Sequence, residues 1–174
     1  MIVDNFCFLR LKGLFCVFSS YPQQPSFTAL WLMMIGEYQH NLDSKGRLAI
    51  PAKFRNSLSK GVIITRGPLD KCLFLYSLDE WTKLADKLSD MPIAKANSLA
   101  FNRLMFAGAM DLNLDGQGRI LLPDYLRKYA NLGKEAIVVG LYNHLEIWDK
   151  DVWKKYRANL ERTSNEIAEK LEEI

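Results

Sequence analysis

The sequence predicts an α+β protein built as a tandem duplication of one unit, with helices flanking short strands. Three observations carry that reading. First, "NLDSKGRLAIPAKFR" (Asn41 to Arg55) returns as "NLDGQGRILLPDYLR" (Asn113 to Arg127). Second, the match continues well beyond this stretch at one fixed offset of 72 positions, as from Gly36 to Gly108. Third, each copy alternates β-branched runs, glycine turns and three-four-spaced helical patterns.

The register holds without a gap. Asn41-Leu42-Asp43 meets Asn113-Leu114-Asp115, Gly46-Arg47 meets Gly118-Arg119, Pro51 meets Pro123, and Arg55 meets Arg127. Further on, Gly61 meets Gly133, Leu73 meets Leu145, Asp79 meets Asp151, Trp81 meets Trp153 and Leu88 meets Leu160. Chance does not keep register over so long a stretch.

Within the first copy, a strand over Glu37 to Leu42 runs into the turn "DSKG", where Gly46 supplies the positive φ. A second strand, "RLAIP", leads to a short helix, "PAKFRNSL", because proline at the first helical position costs no hydrogen bond. "GVIITRG" and "KCLFLYS" read as two more strands. Asp79 is the expected N-cap of the helix "EWTKLADKL". An amphipathic linking helix follows Pro92. The second copy repeats the plan with "EAIVVGL", "HLEIWD" and a helix from Asp151. That last helix aligns Trp153, Tyr156, Leu160, Ile167, Leu171 and Ile174, a stripe fit either for its own sheet or for another subunit.

The expected organisation is a first repeat at 34–90, a linking helix at 91–107 and a second repeat with its C-terminal helix at 108–174. Residues 1–33 are aromatic-rich and aperiodic, and they end in a Met-Met pair. Their apolar core "LFCVF" is short for a signal peptide. The expectation is therefore a mis-called or disordered extension, with the true start at Met34 (or Met33).

The 174 residues carry a net charge of +3, too mild by itself to identify a nucleic-acid partner. Distribution says more. From Asp43 to Lys60, the bases Lys45, Arg47, Lys53, Arg55 and Lys60 face one acid, a net of +4. From Asp115 to Lys134, Arg119, Arg127, Lys128 and Lys134 face Asp115 and Asp124, a net of +2. The C-terminal "ERTSNEIAEKLEEI" is acidic instead. Positive charge thus gathers around the repeated turns, where phosphate neutralisation makes binding salt-dependent.

Asp43 and Asp115 open tight turns, where aspartate bonds backbone N–H groups two residues on, and orienting the arginine four residues later across the turn is compatible with that role. Gly46 and Gly118 complete those turns. Arg47 and Arg119 recur while the residues before them drift, which a turn alone does not require. A planar, always-charged fork at a hairpin tip suits a phosphate or a guanine edge; the alternative is an exposed ion pair worth about 0–1 kcal/mol.

Enzyme chemistry finds little support. His40 and His144 sit at non-equivalent places, with no serine or cysteine arranged as a triad. His144 reads as a partly exposed strand residue and Cys72 as a small core residue. Trp81 and Trp153 read as anchors for their helices. No catalytic or metal-ligating set, and no cofactor, is expected. Three cysteines without a CxxC pair suggest a reducing cytoplasm, and no apolar run approaches the roughly 20 residues of a membrane span.

"MIGEYQHNLDSKGRLAIPAKFR", "DGQGRILLP" and the "EIWD…W" end together resemble the MraZ family of bacterial transcriptional regulators, from Met34 to the C-terminus. The resemblance implies a swapped-hairpin β-barrel of the AbrB type, with the two halves of one chain interleaved. It implies a ring-like homo-oligomer, cytoplasmic and nucleoid-associated. It further implies binding to promoter direct repeats of the division and cell-wall gene cluster, usually as a repressor. The Asp-x-x-x-Arg turns, Asp43 with Arg47 and Asp115 with Arg119, are then the DNA-binding positions. Lys45 lies inside the first turn, while Gln117 takes its place in the second. Lys53, Arg55 and Arg127 would add phosphate contacts that set position rather than sequence. A scaffold, with the turns and the C-terminal helix as assembly contacts, is the other reading.

Overall fold

A computed structural model describes residues 33–92 and 95–170. The expectations for residues 1–32, and for Leu171 and Ile174 of the C-terminal stripe, lie outside those residues. In the first half the elements are β1 (Met34–Asn41), β2 (Arg47–Ala49), α1 (Ala52–Arg55), β3 (Val62–Arg66), β4 (Leu73–Ser77) and α2 (Leu78–Ser89). Helix α3 (Ala96–Gly108) links to β5 (Met110–Leu112), β6 (Arg119–Leu121), α4 (Asp124–Tyr129), β7 (Glu135–Tyr142), β8 (His144–Asp149) and α5 (Lys150–Lys170).

The strands pair across the duplication. A six-stranded antiparallel sheet runs β1-β7-β8-β4-β3-β5, and a two-stranded sheet joins β2 to β6. The opening strand of each half therefore leaves its own half: β1 pairs with β7 from Met34↔Tyr142 to Asn41↔Glu135, and β5 pairs with β3. The large sheet is open, with β1 and β5 as its edges.

Burial explains why neither half closes alone. Leu48, Ile50, Phe54, Leu73 and Leu75 of the first half and Ile120, Leu122, Leu126, Leu145 and Ile147 of the second form one shared core. Each such side chain gains about 1.5–3 kcal/mol from burial. On β7, Ala136 and Val138 face this core while Ile137 and Val139 face a second one with Cys72 and Trp148. A strand covered on both faces reads as an unbroken apolar run, which "AIVV" is.

Several expectations shift at their boundaries. β1 starts at Met34 rather than Glu37, since the Met34 side chain is buried and its residue pairs with Tyr142. The helix expected from Pro51 is one turn long. Three-residue bonds such as Leu58 N–H to the Arg55 carbonyl then carry the chain on, which buries Phe54 and Leu58. Asp79 is not the N-cap of α2: Ser77 is, its hydroxyl accepting the Glu80 N–H at 3.3 Å. Likewise Asp149, not Asp151, caps α5, accepting the N–H groups of Asp151 (3.0 Å) and Val152 (3.4 Å). Ser77 and Asp149 are equivalent at the repeat offset, and both are strong N-cap formers.

Trp81 and Trp153 anchor their helices as expected. Trp81 packs 5.8 Å from Tyr76 and 6.0 Å from Phe106, while Trp153 and Tyr156 lie 5.4 and 4.9 Å from Trp148, centroid to centroid. Cys72 is buried, and burial pushes its thiol far up. His144 is a partly exposed strand residue, as expected, its ring 4.7 Å from Phe74 and 5.0 Å from Tyr76, and burial lowers its pKa. The C-terminal stripe divides: its first turns cover the sheet, but Ile167 is exposed.

Candidate nucleic-acid interface

The two repeated turns are the same object built twice. In the first, the Asp43 N–H donates to the Arg47 carbonyl (3.0 Å) and the Gly46 N–H donates to the Asp43 carbonyl (2.9 Å). The Asp43 carboxylate closes the loop: Oδ1 accepts the N–H groups of Lys45 (2.9 Å) and Arg47 (3.0 Å), while Oδ2 accepts Arg47 Nε at 2.6 Å. In the second, Asp115 Oδ1 accepts from Gln117 and Arg119 N–H at 2.9 Å each, and Oδ2 accepts Arg119 Nε at 2.8 Å. Gly46 at φ 78° and Gly118 at φ 74° hold the left-handed corner that a side chain rarely adopts.

Each aspartate therefore does two jobs, and each arginine has a partner. One carboxylate oxygen organises the turn backbone, and the other fixes the guanidinium by its Nε edge. Arg47 and Arg119 keep about a third and a quarter of their side-chain surface in solvent. A guanidinium carries five donors, so the Nε contact of Arg47, and the Nε and Nη2 contacts of Arg119 with its aspartate, leave others for a ligand. The Asp115 carboxyl is held down to about 2, first by the Arg119 side chain and next by its backbone N–H. Asp43 is lowered too, chiefly by the Arg47 backbone N–H.

Pairing of β2 with β6 sets the two tips side by side, in the register Arg47↔Leu121, Leu48↔Ile120 and Ala49↔Arg119. The Ile50 N–H donates to the Gly118 carbonyl (2.9 Å), and the Leu122 N–H to the Gly46 carbonyl (3.0 Å). Arg119 Nη1 comes within 3.9 Å of Asp43 Oδ2, so charge is shared between the halves. The turns form one surface rather than two separate ones.

The remaining basic residues are placed differently. Lys45 is exposed at the first tip. Lys53 bonds the Ile35 carbonyl and lies 4.9 Å over the Tyr38 ring and 4.8 Å over the Phe54 ring. Arg55 Nε donates to the Ile50 carbonyl (2.8 Å), and Arg127 Nη2 donates to Asp124 Oδ1 (2.8 Å). Both arginine side chains reach the opposite half's turn. A Cβ built on Gly118 would sit 2.3 Å from Arg55 Nε, and one on Gly46 would sit 2.8 Å from Arg127 Cζ. The in-register pairing of Arg55 with Arg127 was the available signal for this, but the repeat does not say that each arm crosses over.

Among the described residues, no group of three or more His, Cys, Asp or Glu is gathered as a metal site, and no helix is long and apolar enough to cross a membrane. A family model described as "MraZ protein, putative antitoxin-like" matches the chain twice in tandem, over residues 33–104 and residues 105–172. The second match begins close to where the offset restarts the repeat.

Proposed function

The chain belongs to the MraZ family, and we propose that it is a sequence-specific DNA-binding transcriptional regulator whose two Asp-x-x-x-Arg turns contact DNA together. The observation that carries this is the adjacency of the tips, which sets Arg47, Arg119 and the exposed Lys45 on one rigid, basic surface. Rigid elements present such groups with little loss of entropy on binding. Gln117 in place of a second lysine makes the surface asymmetric, with the first turn the more strongly phosphate-seeking.

Its target is the promoter direct repeats of the division and cell-wall gene cluster, where it acts as a repressor in the cytoplasm, at the nucleoid. The cross-half pairing of β1, β2 and β5 supports an AbrB-type swapped-hairpin barrel. A ring-like homo-oligomer would multiply modest contacts through effective concentration.

The test is a gel-shift titration on DNA upstream of the protein's own reading frame, at two salt concentrations, with Arg47→Ala and Arg119→Ala. Loss of affinity with a shallower salt dependence, at unchanged oligomer size, is expected. A collapsed oligomer with unchanged DNA affinity would instead establish the scaffold reading.

A further inference from the structure

We infer that Arg55 and Arg127 are positioning residues that each brace the opposite half's DNA-contacting turn, so that every turn is assembled from both halves. This rests on the proposed function only for its consequence at DNA; the brace itself is a property of the free protein.

The geometry is reciprocal. Arg55 extends from the end of α1 to lie over Gly118, whose absent side chain leaves the room: an added Cβ would meet Arg55 Nε at 2.3 Å, Cδ at 2.4 Å and Cζ at 2.5 Å. Arg127 extends from α4 over Gly46, where an added Cβ would meet Cζ at 2.8 Å and Nε at 2.9 Å. The two glycines thus serve twice, supplying a positive φ and a seat for a guanidinium plane. Gly118 lies directly before Arg119 and Gly46 directly before Arg47, so each brace bears on the backbone that aims a contact residue.

Arg55 is locked by a loop of bonds. Its Nε donates to the Ile50 carbonyl, and the Ile50 N–H donates to the carbonyl of Gly118, the residue that Arg55 covers. Brace, strand and turn therefore move as a unit. The second brace is built differently. Arg127 is drawn to Asp124, where the first half has Ala52, and its Nε is buried with no hydrogen-bond partner. The Asp115 turn is consequently the more tightly held, and the Asp43 turn the more adjustable. The turn that carries the extra Lys45 is the one given slack.

Amide hydrogen exchange on the free full-length protein tests the brace, with promoter binding as a second arm. Arg55→Ala is expected to speed exchange about tenfold at Gln117 and Arg119, and Arg127→Ala at Lys45 and Arg47, while β7 and β8 stay protected. DNA affinity should fall about tenfold, the upper end for one lost hydrogen bond, at unchanged oligomer size. Arg55→Lys and Arg127→Lys, which keep charge and most of the volume, separate bracing from direct phosphate contact. Affinity should stay low in these variants, because an ammonium lays no plane over the glycine and, at position 55, supplies no Nε donor to the Ile50 carbonyl. Restored affinity with lysine would overturn the inference in favour of phosphate contact. Exchange that rises only in the arginine's own half, or throughout the chain, would overturn it in favour of ordinary packing. If the wild-type protein binds no promoter DNA, the DNA reading fails, and the exchange pattern still judges the brace.

Discussion

At Asp43 and Asp115 a single carboxylate holds a turn and a guanidinium at once, which makes these residues sensitive to acid. The Asp115 carboxyl titrates near 2 in the folded chain, against roughly 3.9 when unfolded. A depressed folded value means that the ionised form favours the fold. The contribution is complete above about pH 4 and is lost as pH falls from there toward 2. Denaturant titrations across that window should show stability falling with acid. Asp115→Asn should flatten the fall, because its amide carbonyl still accepts the backbone N–H groups but no longer titrates. An unchanged pH profile in the variant would dismiss the carboxylate as the titrating group. The sequence pointed to the aspartate as turn-former and allowed it to orient the arginine four residues later, without fixing the geometry. Asp43 Oδ2 to Arg47 Nε, at 2.6 Å, is a distance that only the folded tip defines.

At the scale of the element, helix ends and strand faces carry the stability. Ser77 gives one acceptor to α2, whereas Asp149 gives one carboxylate oxygen to two N–H groups of α5 and takes the Gly133 N–H on the other at 3.1 Å. Ser77→Ala should cost about 1 kcal/mol and Asp149→Ala more, toward about 2 kcal/mol, since it also adds favourable charge at a helix N-terminus. Thermal unfolding of both variants checks the order. The helices themselves were legible from the Trp81 and Trp153 spacing, but both caps lay two residues earlier than expected. Asp79 and Asp151 are good cap residues by type. What displaces them is the direct passage of β4 into α2 and of β8 into α5, with no loop between, so that the last strand residue does the capping.

Core packing sits at the same level. Phe54 on α1 and Leu126 on α4 are repeat-equivalent and fully enclosed in the shared core. Leu126→Ala should destabilise by about 2–5 kcal/mol and Phe54→Ala by about 3–5 kcal/mol. Because both side chains lie in the one core shared by the halves, calorimetry on these variants should show one cooperative transition moved down, not a separate loss of one half.

At the scale of the whole molecule, the exchange of strands decides what counts as a folding unit. Residues 33–104 alone would lose β7 from β1, β6 from β2, β5 from β3 and β8 from β4. Four unpaired strand edges and half a core cannot be satisfied within one such chain. The isolated first half is therefore expected to unfold, or to pair with a second copy that supplies the missing strands. Sedimentation together with circular dichroism distinguishes these, and a folded monomer would contradict the shared core.

The duplication, the Asp-Gly-Arg turns and the apolar runs of β3, β4, β7 and β8 could all be read from the chain, because each is a local pattern of spacing and side-chain type. Which half supplies a strand's partner could not, since an internal repeat makes Val62↔Ser77 pairing and β1–β7 pairing equally compatible with period-two patterning. The same degeneracy hid the crossed reach of Arg55 and Arg127. Local sequence specifies that an arginine lies on each short helix; only burial of one core by two halves puts each guanidinium over the other half's glycine.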